Sequence, residues 1–346
     1  MTIMVFLDVP MPSKSLPPVS IADIARRAGV AESTVSRALN NNPMINAQTR
    51  EKIQALAREM NYKLNTGARN LRLQRSHAIS IVINAEVRDG QGFSDPFMMD
   101  MIGAIADELH RHHYSLLFSS PAITSDDWHA HLLGSKRSDG LIVIGAGRDD
   151  QPLRQLHEQG DAIVVWGAPR GDSNYCVVGS DNYQGGQLAA THLLSRDCKR
   201  LVFLGDITHP EIEQRFQGYV DRLTQAGHST QERHRQSAFS IESGYAQVKS
   251  LLQQGLDFDG IFAASDNIAM GAIKALQAHG LDVPRDVSVV GFDDIPMAPY
   301  FTPPLTTIRQ DIHRGGQLLV EKILARVNGD TVTSEQLKTE LVVRSS

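Results

Sequence analysis

Cysteine is scarce in this chain of 346 residues, which contains only Cys176 and Cys198. Two cysteines cannot supply the disulfide framework of a small secreted domain, so we expect a reducing, cytoplasmic environment. The sequence also lacks a run of eighteen apolar residues, so we expect no membrane-spanning helix. Internal repeats and low-complexity tracts are absent as well. Hydrophobic residues make up 41% and charged residues 21% of the chain, which is typical of a globular protein.

Residues 1–17 lack the features of a secretory signal peptide. They contain a short apolar patch, Ile3–Leu7, and several prolines, but no basic segment precedes the patch and no convincing cleavage site follows it. We predict that these residues form a disordered leader or arise from the assignment of the start site.

The charge of the chain is divided unevenly along its length. Residues 18–75 hold ten Lys and Arg against four Asp and Glu, a net charge of +6. The whole chain carries −5 and residues 1–17 are neutral overall, so residues 76–346 carry −11. A basic head on a large acidic body is typical of a head that meets nucleic-acid phosphates. The length fits such a head followed by a body of two lobes.

The basic segment has the pattern of a helix-turn-helix domain over residues 18–63. Ser20 and Asp23 form a capping signature before an apolar-periodic helix, and Gly29 allows a tight turn after it. Two short helices joined by such a turn suit the DNA major groove, which the second helix enters. A solvated helical domain without a DNA partner is the alternative. The predicted helices cover about 21–28, 32–39 and 46–60.

These residues resemble the DNA-binding domain of the LacI/GalR family of bacterial transcription regulators. The matching segments are Ile21–Ala25 (IADIA), Ala28–Val30 (AGV), Ser33–Asn40 (STVSRALN), Thr49–Arg50 and Asn61–Tyr62. The resemblance implies sequence-specific binding of a pseudo-palindromic operator by a homodimer. The residues that we expect at the DNA from this domain are Ser20, Glu32, Ser33, Thr34, Ser36, Arg37, Asn40, Thr49, Arg50 and Tyr62.

A basic segment at 64–76 separates this domain from the body. By composition it is a plain linker, but the resemblance implies a hinge helix that folds on operator DNA and inserts a leucine into the minor groove. That leucine falls on Leu71, and we expect Asn65, Ala68 and Arg69 beside it to contact DNA. A helix this short is marginal alone, so the body can bias its folding.

From residue 77 onward, buried strands alternate with amphipathic helices. The predicted helices include Pro96–His110, a short one at Asp126–Leu133, Glu213–Ala226 and Ile241–Gln254, and the predicted strands include Gly140–Ile144 and Ser288–Gly291. This alternation predicts two parallel, doubly wound α/β sheets. With three crossovers between them, they make the periplasmic-binding-protein architecture, in which ligand binds between two lobes. We predict one lobe from about 77–178 and 309–330, and the other from about 179–308 and 331–346.

Ligands of such sheets bind beyond the carboxyl ends of the strands. Three segments at such places also resemble the family, namely Phe262–Asn267, Val289–Asp294 and Pro303–Asp311. Carried over by position, the resemblance implies that the effector contacts are Asp95, Pro96, Phe97, Trp166, Arg215, Ser265, Asp293 and Gln310.

The chemistry of this set favours a sugar. Arg215 and Asp293 can together hold vicinal hydroxyls, and Phe97 and Trp166 offer flat apolar faces for a sugar ring. Structural roles for these residues, as caps, ion-pair partners or core, are the alternative. Trp166 and Ser265 stand where a galactoside-responsive family member carries an aspartate and an asparagine, so we expect another sugar, such as an α-glucoside.

We therefore predict a transcriptional repressor of carbohydrate-use genes, dimeric, cytoplasmic and nucleoid-associated, and controlled by a sugar effector. We expect no enzymatic activity, cofactor or metal, because no catalytic motif occurs and the histidines have no cysteine or paired carboxylate partners. A sugar-binding protein without a DNA role is the alternative, but it needs neither a basic head nor a helix-turn-helix. The sequence does not distinguish release of DNA by the effector from co-repression.

Overall fold

The computed structural model describes residues 19–39, 41–62, 75–84, 94–118, 128–171, 173–228 and 233–346. The chain divides into two compact units, Met1–Leu73 and Gln74–Ser346, which we call the head and the body. Within the described ranges, no helix is both long enough and apolar enough to cross a membrane.

The head contains the three predicted helices, α1 (Ile21–Ala28), α2 (Glu32–Leu39) and α3 (Ala47–Glu59). The capping box is present at α1, because the Ser20 hydroxyl accepts from the backbone N–H of Asp23 and the Asp23 carboxylate accepts from that of Ser20. Gly29 follows with a φ of +69°, the left-handed conformation that glycine adopts without strain. Asn46 caps α3 by accepting from the backbone N–H of Gln48 at 2.8 Å.

Among the described residues of the head, six side chains form its buried core. They come from all three helices and are Ile24, Ala25, Val35, Ala38, Ile53 and Ala57. This is the apolar set that the helical periodicity predicts. A core this small is supported by polar contacts between helices, including an ion pair of Arg27 with Glu59 and a hydrogen bond from Gln54 to the Ala38 carbonyl.

In the described part of the body, the strands form two six-stranded sheets. The strands in chain order are β1 (Ala78–Ile83), β2 (Ser115–Phe118), β3 (Gly140–Ile144), β4 (Ile163–Trp166), β5 (Cys176–Ser180), β6 (Leu201–Leu204), β7 (His234–Arg235), β8 (Gly260–Ala263), β9 (Ser288–Asp293), β10 (Thr306–Arg309), β11 (Glu335–Leu337) and β12 (Glu340–Val342).

Helices cover these sheets. They are α4 (Pro96–Arg111), α5 (Gln151–Glu158), α6 (Asn182–Ser195), α7 (Pro210–Gln225), α8 (Ile241–Gln253), α9 (Asp266–Ala278) and α10 (Ile312–Val327). A short 3-10 helix also spans Ala298–Tyr300. The short helix predicted at 126–133 is instead a π-helical turn, His129–Gly134.

The sheet orders define the two lobes. The first lobe has the order β11-β5-β4-β3-β1-β2, and the second has β12-β10-β9-β8-β6-β7. The strand pairs are parallel except β10 with β12, which is antiparallel. The chain passes between lobes after β5, after β10 and after β11, so three crossovers join them. Ligands of parallel, doubly wound sheets bind beyond the carboxyl ends of the strands.

One boundary differs from the sequence prediction. The segment 331–346 was expected in the second lobe, but Glu335–Leu337 pairs with β5 in the first sheet. Only β12 joins the second sheet, through β10. The cause is that this stretch is itself a crossover, and its short strands lack the apolar run by which the other strands are found.

Candidate functional site

The second helix of the head presents a polar surface. Val35 and Ala38 are buried, so Glu32, Ser33 and Arg37 lie on the opposite, exposed side of α2. Thr34 and Ser36 are partly exposed beside them. This is the arrangement that a recognition helix requires, because side chains that contact base edges must leave the core of their own domain.

The other predicted DNA contacts of the head lie in several environments. Ser20 is exposed, but its hydroxyl already donates to Asp23 at 2.6 Å within the capping box. Thr49 and Arg50 stand in the first turns of α3, where backbone N–H groups favour a phosphate. Tyr62 is half-buried against the head core. The remaining predicted DNA contacts fall outside the described residues, and they are Asn40, Asn65, Ala68, Arg69 and Leu71.

Between the lobes, five of the predicted effector contacts surround one small cavity of about 60 Å³, which we call the inner cavity. They come from both lobes and are Phe97, Trp166, Arg215, Asp293 and Gln310. Phe97 and Trp166 lie together on the side of the first lobe, with ring centroids 6.5 Å apart. The flat apolar faces expected from the sequence are therefore adjacent.

Arg215 is held rigidly in the second lobe. Its Nε donates to the Asn182 side chain at 2.8 Å, its Nη1 donates to the Ala264 carbonyl at 2.5 Å, and its guanidinium lies 3.5 Å from the Phe292 ring centroid. Burial lowers the pKa of Arg215, while the nearby Asp293 opposes that shift. Such fixed geometry orients the remaining donors of the guanidinium for a ligand.

Glycines set the position of the helix that carries Arg215. A methyl group on Gly186 of α6 would lie 2.0 Å from the Arg215 carbonyl oxygen, and one on Gly218 of α7 would lie 2.0 Å from the Tyr183 carbonyl oxygen. The two helix backbones therefore pack at a distance that only glycine permits at these positions.

Asp293 lies opposite Arg215 and has an unusual backbone. Its φ is +116°, a conformation that side chains other than glycine rarely adopt and that concentrates at functional sites. The Gln310 side chain donates to its carboxylate at 2.7 Å. Burial raises the pKa of Asp293 to about 7, although the charge of Arg215 opposes this shift. The carboxyl can thus change its protonation state near neutral pH.

The structure gives the other predicted contacts different surroundings. Ser265 is the N-cap of α9, where its hydroxyl accepts from the backbone N–H of Ile268, and it does not line the inner cavity. Asp95 caps α4 and also accepts from the side chain of Asn267 across the cleft at 2.9 Å. Pro96 is the first residue of α4. Burial raises the pKa of Asp95.

Several cavity residues are absent from the sequence prediction, namely Asn84, Met98, His209, Glu211 and Phe239. His209 and Glu211 lie at the start of α7, which the sequence predicted to begin only at Glu213. Pro210, at the first helical position, is the signal that could have located them. Phe239 follows β7, whose two residues show no strand pattern.

Polar contacts bridge the lobes at the edge of the cleft. Arg148, after β3 of the first lobe, pairs with Asp206 at 2.8 Å and donates to Thr208 at 2.8 Å, and both partners follow β6 of the second lobe. Burial opposes ionisation of Asp206, but hydrogen bonds from Thr208 and Arg148 lower its pKa to about 2. Together with the hydrogen bond from Asn267 to Asp95, these contacts join the two lobes across the cleft.

Comparisons with known proteins match both units. Residues 20–65 match the family described as bacterial regulatory proteins, lacI family, and residues 190–346 match the periplasmic binding protein-like domain. The HTH-type transcriptional repressor PurR of Serratia proteamaculans is 31% identical over 316 residues, which cover 89% of this chain and 90% of that protein.

Two solved structures resemble the whole chain. The lac repressor dimer bound to operator and the anti-inducer ONPF has a TM-score of 0.84 at 27% identity, covering 95% of this chain and 99% of that one. The transcriptional regulator CelR–cellobiose complex has a TM-score of 0.72 at 28% identity, with the same coverage. The chain therefore belongs to the lacI family of bacterial regulatory proteins.

Proposed function

We propose that this protein represses carbohydrate-use genes by binding a pseudo-palindromic operator, and that a sugar in the interlobe cleft controls the binding. One observation carries the proposal. A basic helix-turn-helix head and a cleft with paired aromatic, guanidinium and carboxyl groups occur in the same chain. The head supplies the DNA contact and the cleft supplies the ligand that regulates it.

At the DNA, the exposed side of α2 supports direct reading of bases. Arg37 has the planar donors that match O6 and N7 of guanine, and Glu32 can accept from N4 of cytosine. Ser33 lies on the same exposed side. Thr49 and Arg50, in the first turns of α3, suit the phosphate backbone.

In the cleft, the lining supports a neutral polyol. Sugar hydroxyls both donate and accept hydrogen bonds, which matches Arg215 as a donor and Asp293 as an acceptor. Phe97 and Trp166 suit the apolar face of a pyranose ring. The cellobiose complex of CelR supports a saccharide in this position, and an α-glucoside is our specific proposal for this chain.

A dimer suits both parts of the function. One head reads too few base pairs for useful specificity, and two heads on a two-fold axis read a pseudo-palindrome. The lac repressor dimer supports this assembly. Large apolar side chains that are exposed in the body are available for the contact, including Met99, Met297 and Tyr300, the last with 81% of its surface exposed.

The cleft can control the head only through a difference in affinity. An effector that binds the closed lobes more tightly than the DNA-bound form shifts the population toward the closed form. A closed form can be stabilised by the contacts across the cleft, which join Arg148 to Asp206 and Asp95 to Asn267. We propose that the effector releases DNA, so that the genes are expressed when the sugar is present.

Substitution of Arg37 separates a regulator from a sugar-binding protein without a DNA role. An operator is first selected from random-sequence DNA with the wild-type protein. We expect Arg37→Ala to weaken operator binding by roughly 5- to 150-fold per base contact, the range for a bidentate pair, as measured by fluorescence anisotropy near physiological salt. Sugar binding in the cleft should not change.

The matched control is Arg285→Ala, which removes an exposed arginine of the body that pairs with Asp282 and Asp286 in its own loop. It should leave both binding reactions unaltered. Equal operator binding by Arg37→Ala and wild type would rule out the proposed reading of DNA by α2.

A further inference from the structure

A cavity of about 300 Å³ lies in the first lobe, away from the cleft, and we call it the basal cavity. Its lining includes residues that come shortly before three strands, namely Arg75 before β1, residues 138–139 before β3 and residues 160–162 before β4. These strands pair in parallel, so their amino ends share one edge of the sheet. The cleft lies beyond the carboxyl ends, so the basal cavity is at the opposite edge.

The size of the basal cavity suits a small ligand. Its volume is at the lower end of the range of roughly 300–1,000 Å³ that is usual for small-molecule sites. The remaining walls are the π-helical turn that begins at His129 and the last turn of α10, which carries Arg326. The cavity is thus separate from the space in which we place the sugar.

Three cationic side chains line the basal cavity, Arg75, Lys136 and Arg326. Within the described ranges, no carboxylate forms an ion pair with any of them. Arg75 donates to the Asn328 side chain at 3.1 Å, and Arg326 donates to the Asp161 carbonyl at 3.2 Å, so both of these acceptors are neutral. Lys136 is exposed. The positive charge of the three groups is therefore available to a ligand.

The two carboxylates of the lining are engaged by partners of their own. Asp139 accepts from the backbone N–H groups of Ser76 and His77, at 2.6 Å and 2.9 Å, and from the Ser76 hydroxyl at 2.9 Å. Asp161 lies 2.7 Å from the ring Nδ1 of His129. With three cations against two engaged carboxylates, the lining favours an anion.

The donors of the lining suit a phosphate group. A guanidinium group presents planar, paired donors that match the spacing of phosphate oxygens, and an ammonium group acts as a compact point charge. Hydrogen bonds between such charged partners are roughly twice as strong as those between neutral groups. Two guanidinium groups and one ammonium group at one cavity therefore offer a donor for each free oxygen of a phosphate.

We propose that the basal cavity binds a small phosphate-bearing anion and that this anion weakens operator binding. The binding site stands on the lining of the cavity alone, whereas its effect on the operator rests on the proposed function. Arg75 is the physical link, because it belongs to the basic segment 64–76, in which we expect DNA contacts. A bound anion neutralises Arg75 and so lowers the attraction of this segment for DNA phosphates.

The first test titrates the full-length protein with pyrophosphate by isothermal titration calorimetry, at constant ionic strength and without divalent metal ions. We expect a Kd of about 1 mM or tighter. Lys136→Gln and Arg326→Gln should each weaken binding roughly five- to tenfold, because each removes one charged donor. The matched control is Lys249→Gln, at an exposed position of α8 in the second lobe, and it should leave the Kd unchanged.

The second test measures operator binding by fluorescence anisotropy, with sodium chloride used to match the ionic strength. Pyrophosphate near its Kd should raise the operator Kd of the wild-type protein by about twofold or more. The same concentration should change the operator Kd of Lys136→Gln much less. Without pyrophosphate, the variant and the wild-type protein should bind the operator equally.

Each outcome decides a different part of the proposal. If pyrophosphate shows no saturable binding, or if Lys136→Gln binds it as tightly as Lys249→Gln does, the anion site is overturned. If pyrophosphate binds but the operator Kd does not change, the effect on DNA is overturned and the site stands. If pyrophosphate does not bind while Lys136→Gln weakens operator binding, the cations contact DNA phosphates and the small-anion site is overturned. If no operator can be selected, the effect on DNA fails with the proposed function, and the calorimetry still decides the site.

Discussion

Asp293 has an unusual combination of properties for an aspartate: a strained backbone conformation, a buried side chain and close charged neighbours. It holds a φ of +116°, it is 9% exposed, and it accepts a hydrogen bond from Gln310. Asp266, Asp95 and Arg215 also act on it electrostatically. Structural carboxylates rarely combine these properties, and they explain why we place Asp293 at the centre of the cleft.

The titration of Asp293 leads to a stability prediction. Its pKa in the folded protein is about 7, above the ordinary 3.8. Folding therefore favours the neutral carboxyl, and this contribution is full below about pH 4 and is lost as the pH rises toward 7. Asp293→Asn does not titrate, so its Tm relative to wild type should rise between pH 4.5 and pH 7.5 by at least about 2 °C, and level off above that.

Scanning calorimetry across this pH range measures the difference. Asp100→Asn is the matched control, because it removes an exposed carboxylate from the same body. A Tm difference for Asp293→Asn that stays flat or falls with pH would contradict the raised pKa.

At the residue scale, the position of a residue directly after a strand helps to predict a ligand contact but does not by itself determine one. Arg215, Asp293, Gln310, Phe97 and Trp166 were predicted from family resemblance and strand ends, and the structure brings them to one cavity. Ser265 follows a strand in the same way, yet its hydroxyl caps α9. The sequence does not distinguish a helix cap from a ligand contact here, because both favour a small polar residue directly after a strand. Its role as a contact stays a prediction.

At the scale of elements, α2 begins without a side-chain cap. Its first carbonyl acceptor is that of Ala31, which receives the backbone N–H groups of Thr34 and Val35, but alanine offers no side-chain oxygen. The helix α1 has Ser20 at the equivalent position and a complete capping box. The proposed recognition helix α2 therefore lacks the stabilisation by a side-chain cap that α1 has.

The substitution Ala31→Ser should supply the missing side-chain cap of α2. A serine hydroxyl can accept from the N–H groups of Ser33 or Thr34, and such caps typically stabilise by about 0.5–2 kcal/mol. We expect slower amide hydrogen exchange in the first turn of α2 in the intact protein. Ser20→Ala is the converse control and should speed exchange in α1 by a similar factor. Unchanged exchange in Ala31→Ser would show that the new hydroxyl does not cap the helix.

Elements with strong periodicity were predictable, and elements that depend on distant contacts were not. The elements that lie close to their predicted positions are the three head helices, the body helices α4 and α8, and the apolar strands β3 and β9. Their apolar periodicity is visible within each segment of sequence, so it can be recognised without knowledge of distant contacts. The strands β7 and β11 are exposed or half-buried and very short, so only pairing with another strand defines them. The π-helical turn at His129–Gly134 likewise has no local signature that distinguishes it from an α-helix.

At the scale of the whole molecule, the uneven charge and the two lobes give the head and the body different roles. The head carries the positive charge of the sequence and the exposed side of α2, while the acidic body holds the cleft. The three crossovers allow the lobes to change their relative position without unfolding either sheet. The contacts of Arg148 and Asp95 across the cleft stabilise the arrangement of the lobes in this structure, and ligand binding can add to or oppose them.

We expect the coupling between cleft and DNA to depend on segment 64–76, most of which lies outside the described residues. Its role as a hinge helix stays a prediction from the family resemblance. The sequence indicated the architecture at this scale because two independent patterns, the helix-turn-helix and the alternating strands and helices, each extend over many residues. The identity of the sugar depends on a few side chains, and local patterns do not specify it.

The most direct test of this account is to sequence the genomic fragments of the source organism that the purified wild-type protein retains near physiological salt. We predict a shared pseudo-palindrome in the retained fragments, located beside carbohydrate-use genes and lost from the retained set when an effective sugar is added. Fragments that share no sequence, and whose retention falls uniformly with salt, would reflect charge alone. That result would contradict the proposal that this protein is a sequence-specific, sugar-controlled regulator.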